Sequence, residues 1–341
     1  ISAGGLVYFW SPGSRDTGIS HATPTPIPVN VGDWRSVSDL PRKVNVFLVD
    51  PRDSTRMFAG TGLYGSGGSG LYRSEDGGET WALAVADLPD EPVMALALSP
   101  DSLTLYANLA VDPTIYASHD GGQSWQAVGQ DAELCCNVPR IMLVAPDDPE
   151  RIYIAQTGAD PNVSISADGG ATWRRVADPR QELQPNALVI DPNDPATLYL
   201  GTTQHGVYRS TDRGETWSPA NAGMLDESID ALAVSPTSVG VVYAGSQRGH
   251  LYKSSDAGES WTDLTDRLGL ASWEPGWVLD LAITSGESET ITAAMGWIGL
   301  LQSTDGGATW QRLAMPTLRD QMPFPQDSLM AVSPNGRILL D

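Results

Sequence analysis

Apolar residues along this chain come in short runs rather than in helical stripes. Val93-Met94-Ala95-Leu96-Ala97-Leu98 closes on Ser99-Pro100, and Ile229-Asp230-Ala231-Leu232-Ala233-Val234 closes on Ser235-Pro236. A second run follows each, as in Thr104-Leu105-Tyr106-Ala107 and Thr197-Leu198-Tyr199-Leu200-Gly201. A third has the form Gly206-Val207-Tyr208-Arg209-Ser210, and a fourth starts at a tryptophan, as in Trp173-Arg174-Arg175-Val176. Runs of four to eight residues that are β-branched or aromatic, bounded by Gly, Pro, Asp or Ser, predict strands. No window sustains a 3.6-residue apolar period, so almost no helix is expected.

The strands recur with a motif. Six segments read Ser-x-Asp-x-Gly-x-(Thr/Ser)-Trp, and their tryptophans are Trp81, Trp125, Trp173, Trp217, Trp261 and Trp310. Successive tryptophans lie 44, 48, 44, 44 and 49 residues apart. A period in that range marks a repeat architecture. Four antiparallel strands in about 45 residues make the blade of a β-propeller. The motif then falls in the hairpin between the third and the outer strand. Its aspartates, Asp76, Asp120, Asp168, Asp212, Asp256 and Asp305, can accept backbone N–H groups there, while Gly supplies positive φ. The six tryptophans can bury their rings between blades, with the indole N–H paired. A structural role accounts for all twelve residues.

The motif resembles the Asp-box, or BNR repeat, of sialidases, two-propeller xyloglucanases, sortilin-type receptors and a photosystem II assembly factor. The resemblance covers about residues 44–341. It implies a propeller whose binding sites lie on the face opposite the Asp-boxes, called the top face below.

Seven innermost-strand starts are expected, near Val44, Val93, Pro139, Pro185, Ile229, Val278 and Ser328. After the last only Arg337-Ile338-Leu339-Leu340-Asp341 remains. The expected fold is therefore all-β: a single seven-bladed propeller of four-stranded antiparallel blades. Its last blade is closed by strands from both termini, which removes an exposed sheet edge. Residues 33–341 form the propeller in this reading. Residues 1–32 are an N-terminal strand or the remnant of a leader or anchor, followed by a linker rich in Pro, Ser and Thr.

Charge narrows the partners. The net charge is −22, from 42 acidic and 20 basic residues. Such a surface repels phosphate backbones and anionic lipid, so neither nucleic acid nor direct membrane adsorption is expected. A membrane link would run only through an N-terminal anchor. The two cysteines, Cys135-Cys136, are adjacent and leave the compartment open between free thiols and a vicinal disulfide. The resemblance implies an exported protein, periplasmic or at the cell surface. It is read as a monomer or as part of a larger assembly. Four scattered histidines give no metal-ligand spacing, and no cofactor fingerprint is present.

Candidate binding residues come from aligning the innermost strands. The positions at the channel mouth are Asn45, Met94, Arg140, Asn186, Asp230, Leu279 and Ser328. Arg140, Asn186 and Asp230 form a polar run on consecutive blades, either an internal network or a binding patch in which Arg140 offers a fork to a carboxylate. Trp273, Trp277 and Trp297 fall outside the motif and map to top-face loops of the sixth blade, with His205 nearby. They either stack on a ligand or cap the blade. The sequence reading is a non-catalytic scaffold for a protein or glycan partner. The alternatives are a glycoside hydrolase, for which Asp230 and Glu274 are the candidate carboxylates, and an assembly factor for a membrane complex. An Arg-Ile-Pro segment, expected of a sialidase before the first Asp-box, is absent.

Overall fold

The computed structural model describes residues 7–11, 33–37, 40, 44–62, 70–84, 87–112, 114–130, 137–158, 161–176, 184–270, 276–285, 289–296, 298–313, 330–332 and 338–340. The repeat period becomes six four-stranded antiparallel sheets of continuous chain. In the first, the strands run Val44–Val49, Met57–Thr61, Gly70–Ser74 and Ala82–Leu83, from inside outward. The fifth repeats this as Ile229–Val234, Val242–Ser246, Leu251–Ser254 and Thr262–Asp263.

Seven blades were expected. Blades built of continuous chain around an Asp-box number six, not seven. The apolar start near Ser328 does not lead into such a blade, because no Asp-box hairpin follows it. Instead the two ends of the chain assemble a further four-stranded sheet, ordered Asp33–Val37, Val7–Ser11, Ile338–Leu340, Met330–Val332. Tyr8 pairs with Ser36 on one side and Leu340 on the other. Met330–Val332 packs between the innermost strands Val278–Thr284 and Val44–Val49.

Burial follows strand order. In four blades the second strand is buried along its whole length: Met57–Thr61, Leu105–Leu109, Leu198–Thr202 and Val242–Ser246. Both faces of these strands meet neighbouring blades, so their sequence is nearly continuous in apolar and small residues. Outer strands such as Ala82–Leu83 and Arg174–Arg175 are exposed and only two residues long, which limits the free edge. Between consecutive blades lies a buried apolar layer. One such layer joins Tyr199 and Val207 of the fourth blade to Ile229, Leu232 and Tyr252 of the fifth. Each such side chain, once fully buried, contributes about 1.5–3 kcal/mol.

The layers are tight. A Cβ on Gly245 would lie 2.2 Å from Cγ1 of the fully buried Val278 in the next blade. Gly201 meets Ile229 and Gly60 meets Val93 in the same way, at 2.9 and 2.8 Å. Helix is confined, among the described residues, to one 3-10 turn at Thr265–Leu268.

The Asp-box hairpins are alike in geometry. In the first, the Ser74 hydroxyl donates to Asp76 Oδ1 (2.8 Å) and accepts from Gly78 N (2.8 Å). Asp76 Oδ1 also accepts from Thr80 N (2.9 Å), and Oδ2 accepts from the Thr80 hydroxyl (2.5 Å). The same set recurs at Asp120, Asp168, Asp212, Asp256 and Asp305. At Asp76, desolvation opposes ionisation, but the Thr80 and Ser74 bonds outweigh it and hold the carboxyl at about 2. At Asp256 and Asp305 the Ser260 and Thr309 bonds dominate, with the same result.

The tryptophans divide. The indoles of Trp81, Trp173, Trp217 and Trp310 donate to a glycine carbonyl of their own loop. Trp261 instead donates to Ala220 O of the preceding blade (2.7 Å). Trp125 Nε1 is buried without a hydrogen-bond partner, against expectation. Only Trp81, Trp125 and Trp261 are buried; the other three rings are half-exposed.

Candidate functional site

The innermost strands all carry a β-bulge at one place. The register slips between Val44 and Val46, Val93 and Ala95, Pro139 and Ile141, Pro185 and Ala187, Ile229 and Ala231, and Val278 and Asp280. The extra residues are Asn45, Met94, Arg140, Asn186, Asp230 and Leu279. These are the positions the sequence aligned at the channel mouth. A bulge bends its strand and re-aims a side chain. The residue before each described bulge, such as Val44, Val93, Ile229 or Val278, is buried in the layer between blades. The bulges thus separate a locked apolar position from a displayed one.

The bulges lie at the end of the ring away from the Asp-boxes. Four Asp-boxes are tied by a backbone hydrogen bond to the hairpin that joins the two inner strands, as in Gly77 N to Thr55 O (2.8 Å) and Ala257 N to Gly240 O (2.8 Å). That hairpin follows the innermost strand, whereas the bulge lies at the strand's beginning.

The six displayed side chains differ in what they do. Asn45 is committed to backbone, donating from Nδ2 to Gly62 O (2.8 Å) and Val93 O (3.1 Å). Asn186 Nδ2 donates to Asp230 Oδ1 at 2.9 Å, across the fourth and fifth blades. The Thr203 hydroxyl donates to Asn186 Oδ1 at 3.2 Å. Donors therefore run in one direction, Thr203 to Asn186 to Asp230, and converge on the carboxylate. Both Asn186 and Asp230 are half-exposed. The backbone of Arg140 occupies the third bulge; its side chain, like Ser328, lies outside the described residues.

His205 sits in the tight loop after Thr202, where its N–H donates to Thr202 Oγ1 (3.0 Å) and its carbonyl accepts from Asn221 Nδ2 (2.9 Å). Its Nδ1 is shielded and has no hydrogen-bond partner. No hydrogen bond links its ring to the Asn186–Asp230 pair. Trp277 is half-buried and packs on Gly296, where an added Cβ would lie 2.2 Å from its ring. Trp273, Trp297 and Glu274 lie outside the described residues, as do Cys135 and Cys136.

A BNR/Asp-box repeat profile matches residues 116–127, and a profile described as Sortilin, neurotensin receptor 3 matches residues 161–294. The chain is a β-propeller that carries BNR/Asp-box repeats. This BNR propeller is 39% identical over 64 residues to a photosystem II assembly lipoprotein, Ycf48, of Synechococcus sp. (strain CC9902). That stretch spans 18% of each chain. Among solved structures it is similar to Ycf48 from Cyanidioschyzon merolae, at 15% identity and TM-score 0.61, covering 89% of this chain and 97% of the other. A Ycf48 bound to D1 peptide aligns at 18% identity and TM-score 0.60, covering 87% and 90%. An ancestral GH74 enzyme aligns at 20% identity and TM-score 0.60, covering 79% of this chain but 38% of its own. At these identities the structures carry the fold alone.

Sequence reasoning missed three features of the top face. It did not foresee the bulges, the Thr203 donor, or the buried Asp226 beside Tyr252. The bulge signal was present all the same. Each of the six bulged positions follows a Val, Ile or Pro and departs from strict alternation.

Proposed function

We propose that this propeller is a non-catalytic scaffold that binds a protein partner on its top face, in the manner of an assembly factor. The observation that carries this reading is the contrast between the two ends of the ring. At one end six Asp-boxes satisfy their own polar groups in near-identical loops. At the other, the bulges carry unlike residues, Asn45, Met94, Arg140, Asn186, Asp230 and Leu279, and the Asn186–Asp230 pair is half-exposed there. Irregular loops on a rigid scaffold are where binding is usually built. A Ycf48 solved with D1 peptide supports a protein segment as the kind of partner. The lipoprotein description of the cyanobacterial relative supports an exported protein.

Arg140, Asn186 and Asp230 are the proposed polar contacts, and Trp273, Trp277 and Trp297 the proposed aromatic ones. The test is site-specific photo-crosslinking in the membrane fraction of the source organism. A crosslinker at Asn186 should yield one discrete protein adduct, and one at Glu215 on the Asp-box face should yield none. Adducts from Glu215 but not from Asn186 would reverse the assignment of faces. The rival glycoside hydrolase reading predicts turnover on β-glucans or xyloglucan that disappears in Asp230→Asn.

A further inference from the structure

The loop between the fourth and fifth blades is fixed on every side, yet it holds a leucine in solvent. Leu225 is 75% exposed, while the next residue, Asp226, is 5% exposed. The amides of Leu225 and Asp226 both donate to the Tyr252 hydroxyl, at 3.2 and 3.0 Å. Asp226 accepts from Ser228 N through Oδ1 and from Arg248 N through Oδ2, both at 3.2 Å. Glu227 O accepts from Gly206 N (2.7 Å), and Ser228 O from Gln247 N (2.9 Å).

Burying a carboxylate is costly unless it is hydrogen-bonded. Here the buried carboxylate and a buried tyrosine immobilise a loop tip that makes no apolar layer of its own. A stability role would turn Leu225 inward, where burial of its side chain would be favourable. The loop keeps it outward in one conformation. A rigid exposed apolar group binds without the ordering cost that a mobile one incurs.

The charge around it selects the partner. Glu227, two residues after Leu225, is exposed; Asp263 ends the fifth blade's outer strand, where it meets His250 Nδ1 at 2.8 Å, and Asp266 lies on the 3-10 turn that follows. Arg248 and Arg267 are the described cations there. With the whole chain at −22, the field over this rim is negative.

Building on the top-face reading above, we infer that Leu225 is a preformed docking anchor for a protein segment pairing an apolar residue with a lysine or arginine. The leucine enters the apolar contact, and Glu227 pairs with the cation at its edge. The contact lies on the loop that joins the fourth and fifth blades.

The test uses a phage-displayed random dodecapeptide library panned on the immobilised full chain. Enriched peptides should share a Lys or Arg near an aliphatic or aromatic residue. Their affinity should fall at least about tenfold in Leu225→Ser, as for truncation of an interface anchor. It should also fall in Glu227→Lys, with a weaker salt dependence than wild type. Leu225 is exposed, so circular dichroism of Leu225→Ser should match wild type. Peptides that bind Leu225→Ser as they bind wild type overturn the inference, as does a panning that enriches none. If those peptides instead lose binding in Asp230→Asn, the top-face reading stands and the anchor is wrong. If they compete with neither and protect the Asp-box loops, both fail.

Discussion

At the scale of single residues, the Asp-box aspartates decide how the fold answers to acid. Their carboxyls are held low, at about 2 for Asp76, Asp256 and Asp305, against about 3.9 in an unfolded chain. A depressed folded value contributes stability that is present above the unfolded value and lost as pH falls through the folded one. The loss should therefore fall between about pH 4 and pH 2. Thermal unfolding across that range should show a steep fall in Tm for wild type and a shallower one for Asp305→Asn. The asparagine keeps an acceptor for Thr309 N but cannot accept the Thr309 hydroxyl on its second atom. Equal slopes for the two proteins would show that these carboxylates are not the titrating groups. This chemistry is local, and the eight-residue motif displays it openly in sequence. Tyr106, Tyr153 and Tyr243 were less legible. Their hydroxyls donate to Pro149 O (3.3 Å), Arg213 O (3.2 Å) and Gly306 O (3.0 Å) of the following blade. The recurring Tyr of the second strand was visible, but a partner 43 to 63 residues away is not.

At the scale of elements, contact between blades is governed by apolar volume more than by charge. Gly245→Ala would drive a methyl group into Val278, which is fully buried and has nowhere to move. A loss of about 1–3 kcal/mol in denaturant unfolding is expected, the usual cost of overpacking. The ion pair between Arg209 and Glu259 (2.8 Å) also joins two blades, but Glu259 is mostly exposed. Arg209→Gln should change stability by no more than about 1 kcal/mol, because solvent screens such pairs. A larger effect from Arg209 than from Gly245 would invert this ordering. Strand order and boundaries were legible because turn residues punctuate each run. The third blade was less so. Its inner hairpin pairs beyond the bulge, Val138 with Thr157 and Asn137 with Gly158, where the other blades stop. Nothing in the local pattern of Asn137 to Arg140 distinguishes a longer ladder from a loop.

At the scale of the whole molecule, the ring depends on a sheet that no repeat encodes. Val7–Ser11 is paired on both sides, with Asp33–Val37 and with Ile338–Leu340. Deleting residues 1–11 should leave two unpaired edges, and such edges invite association. The shortened protein should unfold at lower temperature and form concentration-dependent oligomers in light scattering, whereas the full chain should not. An unchanged Tm would mean the sheet contributes little to closure. Seven innermost-strand starts suggested seven blades, the last completed from both termini. The chain supplies six with Asp-boxes and an unlike closing sheet, since periodicity reports local copies and not which distant strands pair.

That closing sheet also sets a timetable. During synthesis Val7–Ser11 leaves the ribosome before any of the six Asp-box blades, and its partner Ile338–Leu340 after all of them. Six blades can stack in the interval while this early strand, Val-Tyr-Phe-Trp-Ser, waits with one side unclaimed. A strongly apolar segment held open for more than three hundred residues is a natural client for a chaperone, and slowing translation of the last blade should lengthen that exposure.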